Sequence, residues 1–227
     1  MTPSIGLNLK ELLSHIDHTM LKPEATVSDI ETLCKEAVIY QTATVCVNPR
    51  FVPQAVSVLH NRLPICTVVG FPFGASSTKT KLFEAEDALS SGADEIDMVL
   101  SIGDLKSKRY HALEAELTSM RYLVGEKTLK VIVETCLLTE EEKKLICQIL
   151  IECCADYIKT STGFSKQGAT FEDVTLFSHL SKGKIKIKAS GGIRTLDDME
   201  QFIRLGAERI GSSSAIQLIR EMKKDCY

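Results

Sequence analysis

Long apolar runs are missing from this chain: none approaches the roughly 18 to 20 residues that a membrane-crossing helix needs, so a helical membrane anchor is not expected. The N-terminal stretch, with Leu7, Leu9, Leu12 and Leu13, reads as an amphipathic segment rather than a secretion signal, which predicts a cytoplasmic protein. Charge of one sign is equally scarce in any one place. With 27 basic against 30 acidic residues and no block of like charge, nucleic acid and membrane surfaces are not expected partners. Closely spaced cysteine pairs are absent too. Cys34, Cys46, Cys66, Cys136, Cys147, Cys153, Cys154 and Cys226 form no C-x-x-C motif and sit within apolar strand and helix patterns, as reduced thiols do. The only close histidine spacing, His15 and His18, has no second ligand pair after it, so no metal is expected. No linker, low-complexity stretch or fixed-period repeat divides the chain, and 227 residues suffice for one sizeable core, so a single domain over 1–227 is expected.

What is present is alternation. Short runs rich in β-branched residues (Ile16–Thr19, Thr42–Val47, Ile65–Val69, Asp94–Val99, Lys130–Glu134, Asp156–Thr160, Lys184–Ala189 and Glu208–Gly211) are separated by longer stretches of helical period. The helical stretches are Ser28–Tyr40, Phe51–His60, Thr78–Ser90, Ser107–Val124, Glu140–Cys153, Thr170–His179, Leu196–Leu205 and Ser213–Lys223. Thr26 with Asp29, and Thr139 before Glu140, Glu141 and Glu142, mark helix starts. Eight repeats of strand and helix predict an α/β fold of the (β/α)₈ TIM-barrel type with a short N-terminal helix. An open doubly wound sheet would usually carry a Gly-rich fingerprint after its first strand, where this chain has Asp17-His18-Thr19-Met20.

Barrel chemistry lies at the carboxyl ends of the strands. Strand seven ends in Lys188-Ala189-Ser190-Gly191-Gly192, and strand eight in Gly211-Ser212-Ser213-Ser214 before a helix. Glycines that let backbone N–H groups approach an anion, serine hydroxyls and a helix N-terminus together suit a phosphate. Lys159 ends strand six, Lys188 ends strand seven and Asp97 lies in strand four. A lysine in an apolar strand is costly to bury charged. Two on adjacent strands can lower one another's pKa, so that a neutral amine attacks an aldehyde to form an imine while a carboxylate helps to move protons. Spacing alone leaves open which lysine is the nucleophile.

Further segments extend the pattern: Ile16-Asp17-His18-Thr19-Met20-Leu21-Lys22-Pro23, Val45-Cys46-Val47-Asn48-Pro49-Arg50-Phe51, Val69-Gly70-Phe71-Pro72-Phe73-Gly74, Lys130-Val131-Ile132-Val133-Glu134-Thr135 and Lys159-Thr160-Ser161-Thr162-Gly163-Phe164. With the strand-four, strand-seven and strand-eight motifs, the chain from 16 to 213 resembles the 2-deoxyribose-5-phosphate aldolase family. The resemblance implies reversible cleavage of 2-deoxy-D-ribose 5-phosphate to D-glyceraldehyde 3-phosphate and acetaldehyde by a class I aldolase without metal or organic cofactor. It implies Lys159 as the Schiff-base lysine, Lys188 as the lysine that perturbs it and Asp97 as the acidic partner. It also implies Asp17, Thr19 and Cys46 at the substrate end, Gly163, Gly191, Gly192, Gly211 and Ser212 at the phosphate end, and a homodimer.

Two departures from the family carry expectations of their own. Period two places Lys186 one interior layer below Lys188, where it needs a partner, and Glu95 one layer below Asp97, so the two are expected to pair. Only four residues follow the last helical stretch, too few to return to the mouth, so Tyr227 is expected to take no part in catalysis. A phosphosugar isomerase or epimerase, or an inert phosphate-binding protein, would share the loops but not the need for both lysines and Asp97.

Overall fold

The structure, a computed structural model, describes residues 7–224. A short helix α1 (Leu9–Ser14) precedes eight strands: β1 (Ile16–Met20), β2 (Thr44–Val47), β3 (Ile65–Val69), β4 (Glu95–Val99), β5 (Thr128–Ile132), β6 (Tyr157–Lys159), β7 (Lys186–Ser190) and β8 (Arg209–Ser212). They pair in parallel, each with the next and β8 with β1, into a closed barrel. The helices between and after them are α2 (Val27–Tyr40), α3 (Val52–Leu59), α4 (Thr78–Ser90), α5 (Ile102–Lys106), α6 (Tyr110–Val124), α7 (Glu140–Glu152), α8 (Phe171–Ser181), α9 (Leu196–Arg204) and α10 (Ala215–Lys224). None is long and apolar enough to cross a membrane.

Local chemistry explains where the helices begin. Thr26 with Asp29, and Thr139 with Glu142, form the expected capping boxes, and Ser77, Thr170 and Thr195 cap α4, α8 and α9 through their hydroxyls. Each satisfies backbone N–H groups that the first helical turn leaves orphaned. The helical stretch over 107–124 differs from expectation. Lys108 adopts a left-handed conformation (φ 56°), so the helix starts only at Tyr110, and a short helix α5 that was not expected precedes it.

Alternation sorts the strand residues into two environments. Outward residues such as Val45, Ile96, Met98, Val131, Ile158, Ile187 and Ile210 pack under the helices in one large apolar core. The lumen is different. A barrel interior is ordinarily filled by layers of branched aliphatic side chains. Here an apolar cluster of Leu21, Cys46, Cys66 and Val68 occupies one side, and charged groups fill much of the rest.

Candidate active site

The charged lumen is built by register. Asp97 on β4 is level with Lys130 on β5, Lys159 on β6 with Lys188 on β7, and Lys188 with Arg209 on β8. Asp97 is the hub and is fully buried. Its Oδ2 accepts from the Nζ atoms of both Lys159 and Lys188 at 2.7 Å, and its Oδ1 accepts from Lys130 Nζ at 2.8 Å and Cys66 Sγ at 3.1 Å. Lys188 Nζ also lies 2.5 Å from Asp17 Oδ2, and Lys130 Nζ lies 2.5 Å from Glu95 Oε2. Below, Arg209 bridges Asp17 at 2.6 Å and Glu95 at 3.2 Å.

These contacts hold most of the network in fixed charge states. Burial pushes the Asp97 carboxyl upward, but the ammoniums of Lys130, Lys159 and Lys188 outweigh it and hold it well below the usual carboxylate range. Asp17 is likewise lowered: burial opposes, and Lys188, Lys130 and Arg209 prevail. Burial alone would push Lys188 down. Asp17 and Asp97 reverse the sign and keep it an ammonium, and carboxylates do the same for Lys130. Asp17, Glu95 and Asp97 thus face Lys130, Lys159, Lys188 and Arg209 within one buried network, and the carboxylate of Glu134 bears on Lys159 from the side. Lys159 is the most weakly anchored: it shares a single carboxylate oxygen, whereas Lys130 and Lys188 each contact two carboxylates at 2.8 Å or less.

Above the network opens a cavity of about 360 Å³ at the carboxyl ends of β1, β6, β7 and β8. Lys159 lines it together with Thr19, Gly163, Gly191, Gly192, Gly211 and Ser212; Lys188, Asp97, Asp17 and Cys46 do not. Those four lie below the floor: Asp17 and Asp97 sit in the ion network, and Cys46 packs beside Cys66, its register partner on β3. A divalent cation has little to bind here, because the oxygens of Asp17, Glu95 and Asp97 already face ammonium or guanidinium groups.

Backbone packing shapes the far wall. A Cβ built on Gly168 would fall 2.0 Å from the carbonyl oxygen of Gly191, and one on Gly191 would meet the Cα atoms of Gly163 and Gly168 at 3.1 Å. The Ala169 N–H closes the contact onto the carbonyls of Ser190 and Gly191 at 3.0 Å. Ser212 Oγ accepts from the N–H groups of Ser214 and Ala215 and so satisfies backbone donors at the start of α10.

One sequence expectation is overturned. Lys186 and Glu95 do not pair. Lys186 begins β7 at the open amino end of the barrel, where its side chain is 56% exposed, 3.9 Å from Glu208 and 5.6 Å from the Tyr157 ring centroid. A long stem on a rim position reaches water more cheaply than it buries a charge. Glu95 instead serves Lys130 and Arg209. Tyr227 lies outside the described residues.

Sequence reasoning passed over Lys130, Arg209, Cys66, Glu134 and Gly168. Lys130 was legible in principle, by the same cost of burying a lysine that singled out Lys159 and Lys188. Placing the start of the fifth strand at Lys130 made it a rim residue, whereas β5 begins at Thr128 and carries it into the lumen. Arg209 and Glu95 signal little by spacing, because their meeting depends on barrel closure.

The chain matches the family described as "DeoC/LacD family aldolase" over residues 12–217. It is 47% identical over 221 residues to the deoxyribose-phosphate aldolase of Clostridium botulinum (strain Eklund 17B / Type B), covering 97% of this chain and 100% of the relative. It is 50% identical over 210 residues to that of Finegoldia magna, covering 92% and 99%. Among solved structures it is similar to the tetrameric deoxyribose phosphate aldolase of Aeropyrum pernix, with a TM-score of 0.88, 31% identity and coverage of 95% of this chain and 92% of that one.

Proposed function

This chain belongs to the DeoC/LacD family of aldolases, and from the arrangement of its barrel mouth we propose that it reversibly cleaves 2-deoxy-D-ribose 5-phosphate to D-glyceraldehyde 3-phosphate and acetaldehyde through an imine on Lys159. The observation that carries the assignment is the position of Lys159: of the three buried lysines around Asp97, it lines the cavity and is the least anchored by carboxylates.

An ordinary lysine is neutral in only about one molecule in 2,500 at pH 7. The imine needs a neutral amine, and Lys159 is the lysine of the three that leaves the network with the fewest contacts broken. The neutral amine attacks the C1 aldehyde of the open-chain sugar, and loss of water gives the protonated imine. That imine accepts the electron pair of the C2–C3 bond as the C3 hydroxyl passes its proton to solvent water in the cavity, releasing the three-carbon aldehyde phosphate. The enamine left on Lys159 takes a proton at C2 from water, and water then hydrolyses the resulting imine to acetaldehyde and free lysine. Lys188, held as an ammonium on the same Asp97 oxygen as Lys159, keeps positive charge beside the amine and is the nearest acid to it. Asp97 acts chiefly as the fixed anion that holds both lysines in place. The sugar phosphate is read as lying against Gly163, Gly191, Gly192, Gly211 and Ser212, where backbone N–H groups and the start of α10 suit an anion. Thr19, Asp17 and Cys46 belong to the opposite, substrate end, with Asp17 and Cys46 acting from beneath the floor.

On this reading the chain works as one barrel domain in the cytoplasm and needs no cofactor. A homodimer is the expected assembly, to be tested by sedimentation, although the Aeropyrum pernix relative is tetrameric. The decisive experiment is incubation with acetaldehyde and borohydride followed by peptide mass mapping. An ethyl group on Lys159 is expected. A label on Lys188, or on no lysine, rejects the mechanism, and an isomerase or epimerase would not be trapped at all.

A further inference from the structure

Glu134 is unusual in both backbone and side chain. It follows β5 with φ 54° and ψ 66°, a left-handed conformation that a side chain with a Cβ enters at steric cost. Its buried carboxylate spends its side-chain hydrogen bonds on Thr162 and lies close enough to Lys159 to interact with its charge. Oε1 accepts from the Thr162 N–H at 3.2 Å, and Oε2 accepts from the Thr162 hydroxyl in a short hydrogen bond. The Thr162 Oγ in turn accepts from the Phe164 N–H at 3.1 Å.

A hydroxyl has one proton and two lone pairs. The proton of Thr162 goes to Glu134, and one lone pair takes the Phe164 N–H, so what remains is a lone pair. The Thr162 N–H is also spent on Glu134. Thr162, in the wall of the cavity near Lys159 and Gly163, can therefore offer a ligand an acceptor but no donor. A buried carboxylate that withdraws two donors beside an anion-binding mouth does not serve the anion.

We propose that Glu134 is a specificity-determining positioning residue: it fixes the hydrogen-bond polarity of Thr162 so that this part of the wall accepts a proton from a hydroxyl of the sugar chain. The phosphate is thereby left to the glycine loops. The inference rests on the aldolase reading above, and it assigns Glu134 a role in sugar recognition that acts through Thr162.

Glu134→Gln tests it with almost no change of shape. With its amide oxygen on the Thr162 N–H, the variant turns its NH₂ toward the Thr162 hydroxyl, so the hydroxyl must accept and its proton is freed toward the cavity. The expected result is a fall of about tenfold or more in kcat/KM for 2-deoxyribose 5-phosphate. Reductive trapping of acetaldehyde on Lys159 should fall far less than cleavage does, since acetaldehyde carries no hydroxyl to be read and only the lost Glu134 charge bears on the amine. In a Thr162→Val background, adding Glu134→Gln should change cleavage by less than about twofold, because the two residues act as one unit. Parent-level cleavage by Glu134→Gln, a parallel loss of trapping, or an undiminished effect in the Thr162→Val background each overturns the inference. A parent protein that neither cleaves the sugar nor traps acetaldehyde rejects the aldolase reading and this inference with it.

Discussion

Lys159 and Lys188 are level with one another on neighbouring strands and donate to the same oxygen of Asp97, yet their surroundings differ. Lys188 has a second carboxylate, Asp17, beneath it and no place on the cavity wall; Lys159 has the wall and one shared oxygen. Replacing Lys188 by Leu removes the ammonium that shares the Asp97 oxygen with Lys159 and leaves that carboxylate oxygen to Lys159 alone. Activity should fall about a hundredfold at pH 7, and its acid limb should move up by about one pH unit or more. The measurement is kcat/KM against pH for the parent and Lys188→Leu. A variant whose rate falls without any displacement of the profile would mean that Lys188 acts by position or proton donation rather than by charge.

At the scale of elements, the loops after β6 and β7 meet through glycine backbones as well as through Ser190, whose hydroxyl donates to the Ser161 carbonyl at 2.6 Å. Gly168 is the tightest point, because a methyl group there meets main-chain atoms of Gly191 that cannot rotate aside. Gly168→Ala should cost about 1–3 kcal/mol in stability. The displaced loop should also raise KM for the phosphorylated sugar about tenfold, with a smaller effect on unphosphorylated 2-deoxyribose. Gly103→Ala in α5 is the control: nothing lies within 4 Å of the added carbon, and the helix should be unchanged or gain about 0.5–1 kcal/mol. Thermal unfolding and steady-state kinetics of both variants decide the point. Equal KM values for parent and Gly168→Ala would remove these loops from phosphate binding.

For the whole molecule, the buried charges couple stability to pH. Asp17 and Asp97 are both depressed in the folded state, so their contribution is fully present above the unfolded carboxylate value of about 3.9 and is lost as pH falls through the lower folded values. His18 adds an earlier step. Burial lowers its pKa in spite of the Glu36 carboxylate 3.1 Å away, so the neutral ring is favoured and stability begins to fall as pH drops below about 6.5. Urea midpoints measured from pH 8 to pH 3 should decline in two stages, gently below about 6.5 and steeply below about 4. His18→Gln should remove the first stage and leave the second. A midpoint that stays level below pH 4 would contradict the charge assignment of the lumen.

The local rules of the chain were enough for the barrel itself. Alternating β-branched runs, helical periods and hydroxyl caps such as Thr26 and Thr139 depend on neighbours within a few residues, and each is visible in a linear sequence. So were Lys159, Lys188 and Asp97, because charge within an apolar strand is costly wherever the strand lies. Tertiary structure alone decided the rest. Which lysine faces the cavity follows from how high each strand end rises around a closed ring. The partner of Glu95 follows from strand stagger, which brings Lys130 and Arg209 to it and leaves Lys186 at the watered rim. Glu134 and Thr162, 28 positions apart, meet because a left-handed residue turns the chain after β5 toward the loop after β6. Such pairings are set by closure and curvature, physical properties of the assembled sheet that no single segment carries.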